Sequence, residues 1–177
     1  KGVWDYYKKQ DFMPVHEFCY SVEAKGGGGS AERLRQLNLS NNKDLETIIR
    51  LTKSRAPVSK TFGVLNDTSI FLFYCLYDFQ KNLFYSEKKD CLLVFSLDNQ
   101  ALHLHDILCE SELNFAEISG LLKSENIDFK EIIFHYTPNY PDIEIKPTEI
   151  DTGDRMFFKG DSSILPLKFK YPKIAHT

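Results

Sequence analysis

The sequence predicts an α+β fold, in which a mixed and mostly antiparallel sheet has helices packed on its faces. Residues 70–77 form a continuous apolar and aromatic run rich in β-formers, which indicates a strand buried on both faces at the centre of the sheet. Residues 91–97 and 101–108 are strand-like runs separated by a short polar turn, a pattern typical of an antiparallel hairpin. Apolar residues at helical spacing occur on either side of these strands.

The first element is a short amphipathic helix, predicted within residues 2–10, and a strand follows within residues 15–24. Phe18, Tyr20 and Val22 share one face of that strand. Left uncovered, this face would favour aggregation or swapping, so we expect it to pair with the sheet.

The next segment of regular structure begins with a predicted strand at residues 32–37. Residues 41–55 show helical spacing after a capping asparagine, and Pro57 ends the run. A strand is predicted at 83–85, and residues 114–124 form a second helix with a capping-box pattern.

The last predicted strands are residues 129–136, 143–145 and 155–159, the final two flanking residues 151–154. Residues 31–177 are therefore expected to run strand, helix, three strands, helix, three strands.

The composition argues against two classes of partner. The 177 residues are 42% hydrophobic, enough to bury a core, and 22 basic against 25 acidic residues give a formal net charge of −3. This balance provides no excess of positive charge with which to bind nucleic acid, and no cluster of basic residues suggests binding to a membrane surface. No apolar run reaches the ~20 residues that span a bilayer, and no signal-peptide pattern is present, so we expect a cytoplasmic protein.

Cysteine usage favours reduced core thiols over a metal or disulfide set. The cysteines lie far apart in sequence, without C-x-x-C spacing, and mostly within apolar runs. They are Cys19, Cys75, Cys91 and Cys109.

Residues 26–30 read Gly-Gly-Gly-Gly-Ser, which is the composition of a flexible, engineered linker. The alternative is a phosphate-binding loop, which is disfavoured because no Lys-Ser or Lys-Thr follows the glycines. A linker at this point either replaced a loop or joined native termini to give a permuted chain.

The order of elements resembles that of the GNAT superfamily of acyl-CoA N-acyltransferases. Residues 4–12 look like a late helix of that family, with an aromatic-Tyr-x-x-x-Asp-Phe ending in which Asp11 replaces the usual glycine. The resemblance implies that Tyr7 is a general acid that protonates the departing CoA thiolate. It also implies that residues 1–25 are the end of one GNAT domain and residues 31–177 a second, diverged one. The parent protein would transfer an acetyl group from acetyl-CoA to an amine.

One family feature is missing from the sequence. The family binds the CoA pyrophosphate on a [Gln/Arg]-x-x-Gly-x-[Gly/Ala] loop, but Cys-Glu-Ser-Glu at residues 109–112 occupies that place. Its two carboxylates would repel a pyrophosphate, so the residues that bind a cofactor are not identified. The alternative function is a catalytically inactive GNAT-like scaffold, ligand-binding or dimerisation domain, with a second copy or a partner GNAT domain as its partner.

Other polar residues are weaker candidates for a site. His103 and His105 share a strand face beside Asp106, but without a third ligand at recognisable spacing a half-exposed sheet face is favoured over a metal pair, and no metal is expected. By analogy with the family, Asp106, His135 and Tyr136 are expected at the open end of the sheet, where a separation between strands binds pantetheine. No base is evident in the sequence beside Ser59 or the cysteines, so no nucleophile is predicted.

Overall fold

The structure is a computed structural model that describes residues 2–24, 32–124, 128–150 and 156–175. Its helices are α1 (Val3–Lys9), α2 (Asn42–Ser54), α3 (Thr68–Tyr77) and α4 (Phe115–Lys123). Its strands are β1 (Met13–Val15), β2 (Glu17–Glu23), β3 (Arg35–Gln36), β4 (Leu83–Ser86), β5 (Cys91–Asp98), β6 (Ala101–Cys109), β7 (Glu131–Phe134), β8 (Lys146–Ile150) and β9 (Met156–Phe158).

Seven of these strands form one sheet in the order β3-β4-β5-β6-β7-β2-β8. All neighbours in it are antiparallel except β6 and β7, which run parallel. A separate two-stranded sheet pairs β1 with β9. The predicted α+β class and mostly antiparallel sheet are therefore confirmed. No helix within the described ranges has the length and apolar character needed to cross a membrane.

Strand β5 is buried on both faces and divides the core in two. Cys91 and Leu93 belong to the cluster that includes α4, whereas Leu92 and Val94 belong to the cluster that includes α2 and α3. Helix α4 thus covers one face of the sheet, and α2 and α3 cover the other. The alternation follows from the period of two in a strand.

The two capped helices begin where the sequence predicts. The Asn41 side chain accepts hydrogen bonds from the first backbone N–H groups of α2. In α4 the Asn114 side chain and the Glu117 side chain cap each other's backbone N–H groups. The predicted hairpin is also confirmed, since β5 and β6 pair antiparallel along their whole length.

The prediction of a central strand at residues 70–77 is wrong, because these residues form helix α3. An apolar run without polar positions fits either period, so its β-forming composition did not discriminate between a strand and a helix. Phe71 and Cys75, four residues apart, are buried, whereas Phe73 and Tyr77 are 55% and 72% exposed. Strands β5 and β6 occupy the centre of the sheet. In residues 70–77, tertiary packing overrides the preference of the individual residues for β-structure.

Strand β2 lies inside the large sheet, between β7 and β8. Tyr20 is 7% exposed and belongs to the core, which confirms that this strand pairs with the sheet. The strand predicted at residues 143–145 begins later, at Lys146, and the one predicted at 155–159 is β9. Residues 151–154 and the Gly-Ser segment at 26–30 lie outside the described residues. The division of the chain at that segment stays a prediction.

Two phenylalanine variants test the helical assignment of α3. In a strand Phe71 and Phe73 would share a face, whereas in this helix only Phe71 is buried. We expect Phe71→Ala to lower the free energy of unfolding by about 3–5 kcal/mol. Phe73→Ala is the matched control and should cost less than about 1 kcal/mol. Urea unfolding measures both, and equal losses would contradict the helix.

Candidate functional site

The parallel strands β6 and β7 separate part of the way along β6. They pair from Ala101 and Glu131 to Leu104 and Phe134. The His135 N–H then donates to the Leu104 carbonyl at 2.9 Å, after which β6 continues to Cys109 without β7 beside it. A cleft opens where the two strands part.

A bulge in β6 marks the point of separation. Val94 of β5 is opposite Asp106, but the next residue, Phe95, is opposite Leu104, so His105 is the extra residue. A bulge turns the following side chains to new directions and increases the local twist. It accounts for the burial of both His105 and Asp106, although they are adjacent in the strand.

The cleft has a cavity volume of about 50 Å³ and is partly open to solvent. The loop after α2, the end of β6, the β6–α4 segment, α4 and the loop after β7 form its walls. The residues that line it are Ala56, Pro57, Val58, Lys60, Ile107, Cys109, Ser111, Glu112, Leu113, Ile118, Asn139 and Tyr140.

A buried ion pair joins the end of α2 to β6 beside this cleft. The Arg55 guanidinium donates two hydrogen bonds to the Asp106 carboxylate, each 2.6 Å long, and a third of 3.3 Å to the Ile107 carbonyl. The side chains of Arg55 and Asp106 are 3% and 1% exposed. Asp106 also accepts from the Ile107 N–H, so it positions other groups rather than facing a ligand.

The loop that follows Arg55 covers part of the open edge of β6. The Ala56 N–H donates to the Cys109 carbonyl at 2.8 Å. Farther along, the Asn139 side chain accepts from the Lys60 N–H at 2.8 Å and from the Ser59 hydroxyl at 3.2 Å. These bonds tie the loop after α2 to the loop after β7 and fix the width of the cleft.

Two tyrosines meet at the cleft wall formed by the loop after β7. The hydroxyl oxygens of Tyr136 and Tyr140 are 2.9 Å apart. Tyr136 is fully buried, and Tyr140 lines the cleft. Burial raises the pKa of Tyr140 to about 12 and that of Tyr136 well above its ordinary value. Both hydroxyls therefore carry their protons at neutral pH.

At the N-terminus of α4, where the sequence lacks a glycine-rich loop, the helix caps its own backbone. The Asn114 N–H donates to Glu117 at 3.0 Å, and the Glu117 N–H donates to Asn114 at 2.9 Å. Glu112 lies just before the helix and pairs with Lys60 at 3.1 Å. Because these N–H groups are already satisfied and carboxylates stand beside them, this helix end does not fit a pyrophosphate.

Three histidines lie together where β6 and β7 part. His103 Nδ1 is 3.0 Å from His135 Nε2, and His105 Nε2 is 2.9 Å from the Ser96 hydroxyl. The ring centroids of His105 and His135 are 4.4 Å apart. Within the described ranges no cluster of His, Cys, Asp and Glu side chains has the arrangement of a metal site.

Burial is the main reason that two of these histidines stay neutral. It lowers the pKa of His105 to about 2 and that of His135 to about 3. Charge on a neighbouring histidine and the Lys173 ammonium group oppose protonation further. The three rings pack together; His105 is buried, whereas His103 and His135 are half-buried, so the expected half-exposed face is confirmed for His103 and wrong for His105.

Tyr7 lies in an aromatic group around β9. Its ring stacks on Phe157 with centroids 4.8 Å apart and meets the edge of Phe12 at 5.5 Å. Trp4 contacts the same Phe157 ring. The role of Tyr7 as a general acid stays a prediction.

The family analogy placed Asp106, His135 and Tyr136 at the open end of the sheet. The structure brings all three near the point where β6 and β7 part, but none of them lines the cleft. Sequence reasoning did not identify Arg55 or Tyr140. Arg55 is an arginine at the end of a helix, and Tyr140 is an aromatic residue between prolines. Both patterns are common in segments without function.

Comparisons with known proteins support the fold. No protein-family model matches the chain, and no curated protein matches it. A crystal structure of a conserved protein of unknown function from Enterococcus faecalis V583, described as a probable N-acyltransferase, is similar with a TM-score of 0.50 and 10% identity. The likeness covers 85% of this chain and 42% of that one, so the chain spans less than half of its length. At this identity the likeness concerns the fold alone, which is GNAT-like.

Removing one member of the buried ion pair should destabilise the fold strongly. Arg55→Met leaves the Asp106 carboxylate buried without its partner, and we expect a loss of about 3–5 kcal/mol. The control is Arg50→Met, which breaks the exposed Arg50–Asp90 pair and should cost less than about 1 kcal/mol. Urea unfolding gives both values. The double variant Arg55→Met/Asp106→Leu should recover much of the loss, and a failure to do so would contradict this account.

The histidine group predicts a loss of stability in mild acid. An unfolded histidine titrates near pH 6.5, whereas His105 and His135 stay neutral in the fold, so below that pH the unfolded chain binds the additional protons. Between pH 7.5 and 5.5 the free energy of unfolding should fall by roughly 1 kcal/mol for each of them. Denaturant titrations at the two pH values measure this. His135→Asn should reduce the slope, and a slope that this variant leaves unchanged would contradict the prediction.

Proposed function

We propose that this chain is a GNAT-like acyltransferase domain that takes the thioester arm of an acyl donor into the cleft between β6 and β7. The observation that carries the proposal is the separation of the parallel strands after Leu104 and Phe134. Its position matches the strand separation at which the GNAT family binds pantetheine, a correspondence that rests on the resemblance. The bulge at His105 is of the kind that re-aims side chains next to active sites.

The reaction expected there is transfer of an acyl group from a thioester to an amine. The amine nitrogen attacks the thioester carbonyl, the carbon–sulfur bond breaks, and the departing thiolate takes up a proton. The proton that the nitrogen loses as the amide forms passes to solvent and restores the proton donor. Tyr140 is suited to supply that proton because it lines the cleft and because its hydroxyl stays protonated and is hydrogen-bonded to Tyr136. Tyr7, proposed from the resemblance alone, is the competing proton donor.

The helix end beside the cleft suggests an unusual donor preference. The capping box at Asn114 and the carboxylate of Glu112 leave no anion site for the pyrophosphate of CoA. Recognition would then rest on the acyl and pantetheine parts of the donor. Acetyl-CoA and acetyl-pantetheine are therefore expected to bind with similar affinity.

A second candidate function is that of a non-catalytic interaction domain. Two observations favour it: the Ala56 N–H occupies the Cys109 carbonyl on the open edge of β6, and α3 exposes Phe73, Leu76 and Tyr77 to solvent. An exposed apolar helix face of this kind is typical of surfaces that bind another protein or a second copy.

Calorimetric titration separates the two functions. If the chain is an acyltransferase domain, acetyl-CoA and acetyl-pantetheine should both bind, with dissociation constants that differ by less than about threefold. Both constants should lie near or below ~100 μM, which corresponds to a binding free energy of about −5.5 kcal/mol. Desulfo-CoA, which lacks the sulfur, is the control ligand. No heat at millimolar concentration of either donor would contradict the first function and favour the second.

Turnover assays on tyrosine variants identify the proton donor. With acetyl-pantetheine and a panel of primary amines, Tyr140→Phe should lower the rate of thiol release by at least about tenfold without weakening donor binding. Tyr77→Phe, a change of an exposed tyrosine on α3, is the matched control. A large loss for Tyr7→Phe with none for Tyr140→Phe would assign the role to Tyr7 instead.

A further inference from the structure

Two cysteines are cross-strand neighbours at the cleft. Cys91, the first residue of β5, is directly opposite Cys109, the last residue of β6. The Cys109 carbonyl accepts the Ala56 N–H from the other edge of β6, so this is a non-hydrogen-bonded pair in the ladder. The Cα atoms of such pairs are roughly 4.5 Å apart, which is within the range that a disulfide spans. Both thiols are free in the structure.

The two thiols have different surroundings. Cys109 lines the cleft, and its sulfur is 3.9 Å from both the Ser111 hydroxyl and the Lys89 carbonyl. Cys91 is fully buried behind it. A small molecule that enters the cleft therefore meets Cys109 first, and Cys91 is placed to react with whatever forms on Cys109.

Hydrogen bonding favours the thiolate form of Cys109. The bond from the Cys91 thiol, helped by the Ser111 N–H, lowers the pKa of Cys109 to about 6, although burial and the Asp90 carboxylate act against this. The Cys91 thiol, the donor of that bond, has a raised pKa and keeps its proton. These shifts favour a thiolate at Cys109 and a protonated thiol at Cys91.

We propose that Cys91 and Cys109 form a redox-active dithiol site whose substrate is a hydroperoxide small enough to enter the cleft. The Cys109 thiolate attacks the outer peroxide oxygen, the O–O bond breaks, and the alkoxide leaves as an alcohol after taking up a proton, so that Cys109 becomes a sulfenic acid. The Cys91 sulfur then attacks the Cys109 sulfur, and its proton leaves with the hydroxyl as water. The peroxide is reduced, the two thiols are oxidised, and a disulfide joins β5 to β6. A thiol reductant restores the pair.

The other two cysteines provide internal controls. Burial raises the pKa of Cys75, on α3, to about 12, which makes it unreactive as a nucleophile. Burial also raises the pKa of Cys19, on β2. Neither residue lines the cleft. Oxidation by limiting peroxide is therefore expected at Cys109 and not at these two.

The test treats the reduced full chain with one equivalent of hydrogen peroxide and maps the peptides by mass spectrometry. The expected product is a Cys91–Cys109 cross-link that has lost two hydrogen atoms and is reversed by dithiothreitol. Cys91→Ser should stop at a sulfenic acid on Cys109 that dimedone traps. Cys109→Ser should consume peroxide at least about tenfold more slowly, whereas Cys75→Ser should match the unaltered chain.

Alkylation of the unaltered chain provides a test that does not depend on the folding of variants. Iodoacetamide labelling of Cys109 should reach half its maximal rate near pH 6, well below the pH at which Cys75 reacts. Labelling of Cys109 only above pH 8, or peroxide products without the Cys91–Cys109 cross-link, would overturn the proposal. Neither result bears on whether an acyl donor binds in the cleft, so the two proposals fail independently.

Discussion

The ion pair between Arg55 and Asp106 is the constraint from which the arrangement of the cleft follows. Taking two charges out of water costs several kcal/mol each, and here two short hydrogen bonds between the charges, together with bonds to the backbone of Ile107, offset that cost. The pair fixes the end of α2 against β6 just after the bulge. The next residue can then bond to the Cys109 carbonyl, at an edge that β7 leaves uncovered. The cleft is the space between this loop, α4 and the loop after β7.

The two ends of this region differ in what they offer a ligand. Where β6 and β7 part, a cleft of mixed polar and apolar lining holds a protonated tyrosine, whereas the N-terminus of α4 uses its own carboxylate and asparagine to satisfy its backbone. An anionic group is disfavoured at a helix end where side chains occupy the N–H groups of Asn114 and Glu117 and where the neighbours are acidic. Both features bear on the proposed preference for the acyl and pantetheine parts of a donor over its pyrophosphate.

Local signals predicted much of the fold. Asparagine caps gave the starts of α2 and α4, and a polar turn between two apolar runs gave the hairpin, because each signal acts over a few residues. Helix α3 was not predictable in this way, since an apolar run with no polar position has no period to read. The site depends on distant pairs. Arg55 and Asp106 are 51 residues apart, and the meeting of Cys91 with Cys109 is decided by strand register, which the sequence does not display.

The position of β2 has a consequence for the order in which the chain can fold during synthesis. Its two neighbours, β7 and β8, are among the last strands to be made, so β2 leaves the ribosome long before either exists. Until then the side chains of Phe18, Tyr20 and Val22 cannot pack in the sheet that covers them in this structure. Pairings this far apart in sequence form slowly, and an unpaired apolar strand is a template for association with other chains. A nascent chain of this topology therefore has a built-in interval during which a chaperone that shields extended apolar segments would raise its yield.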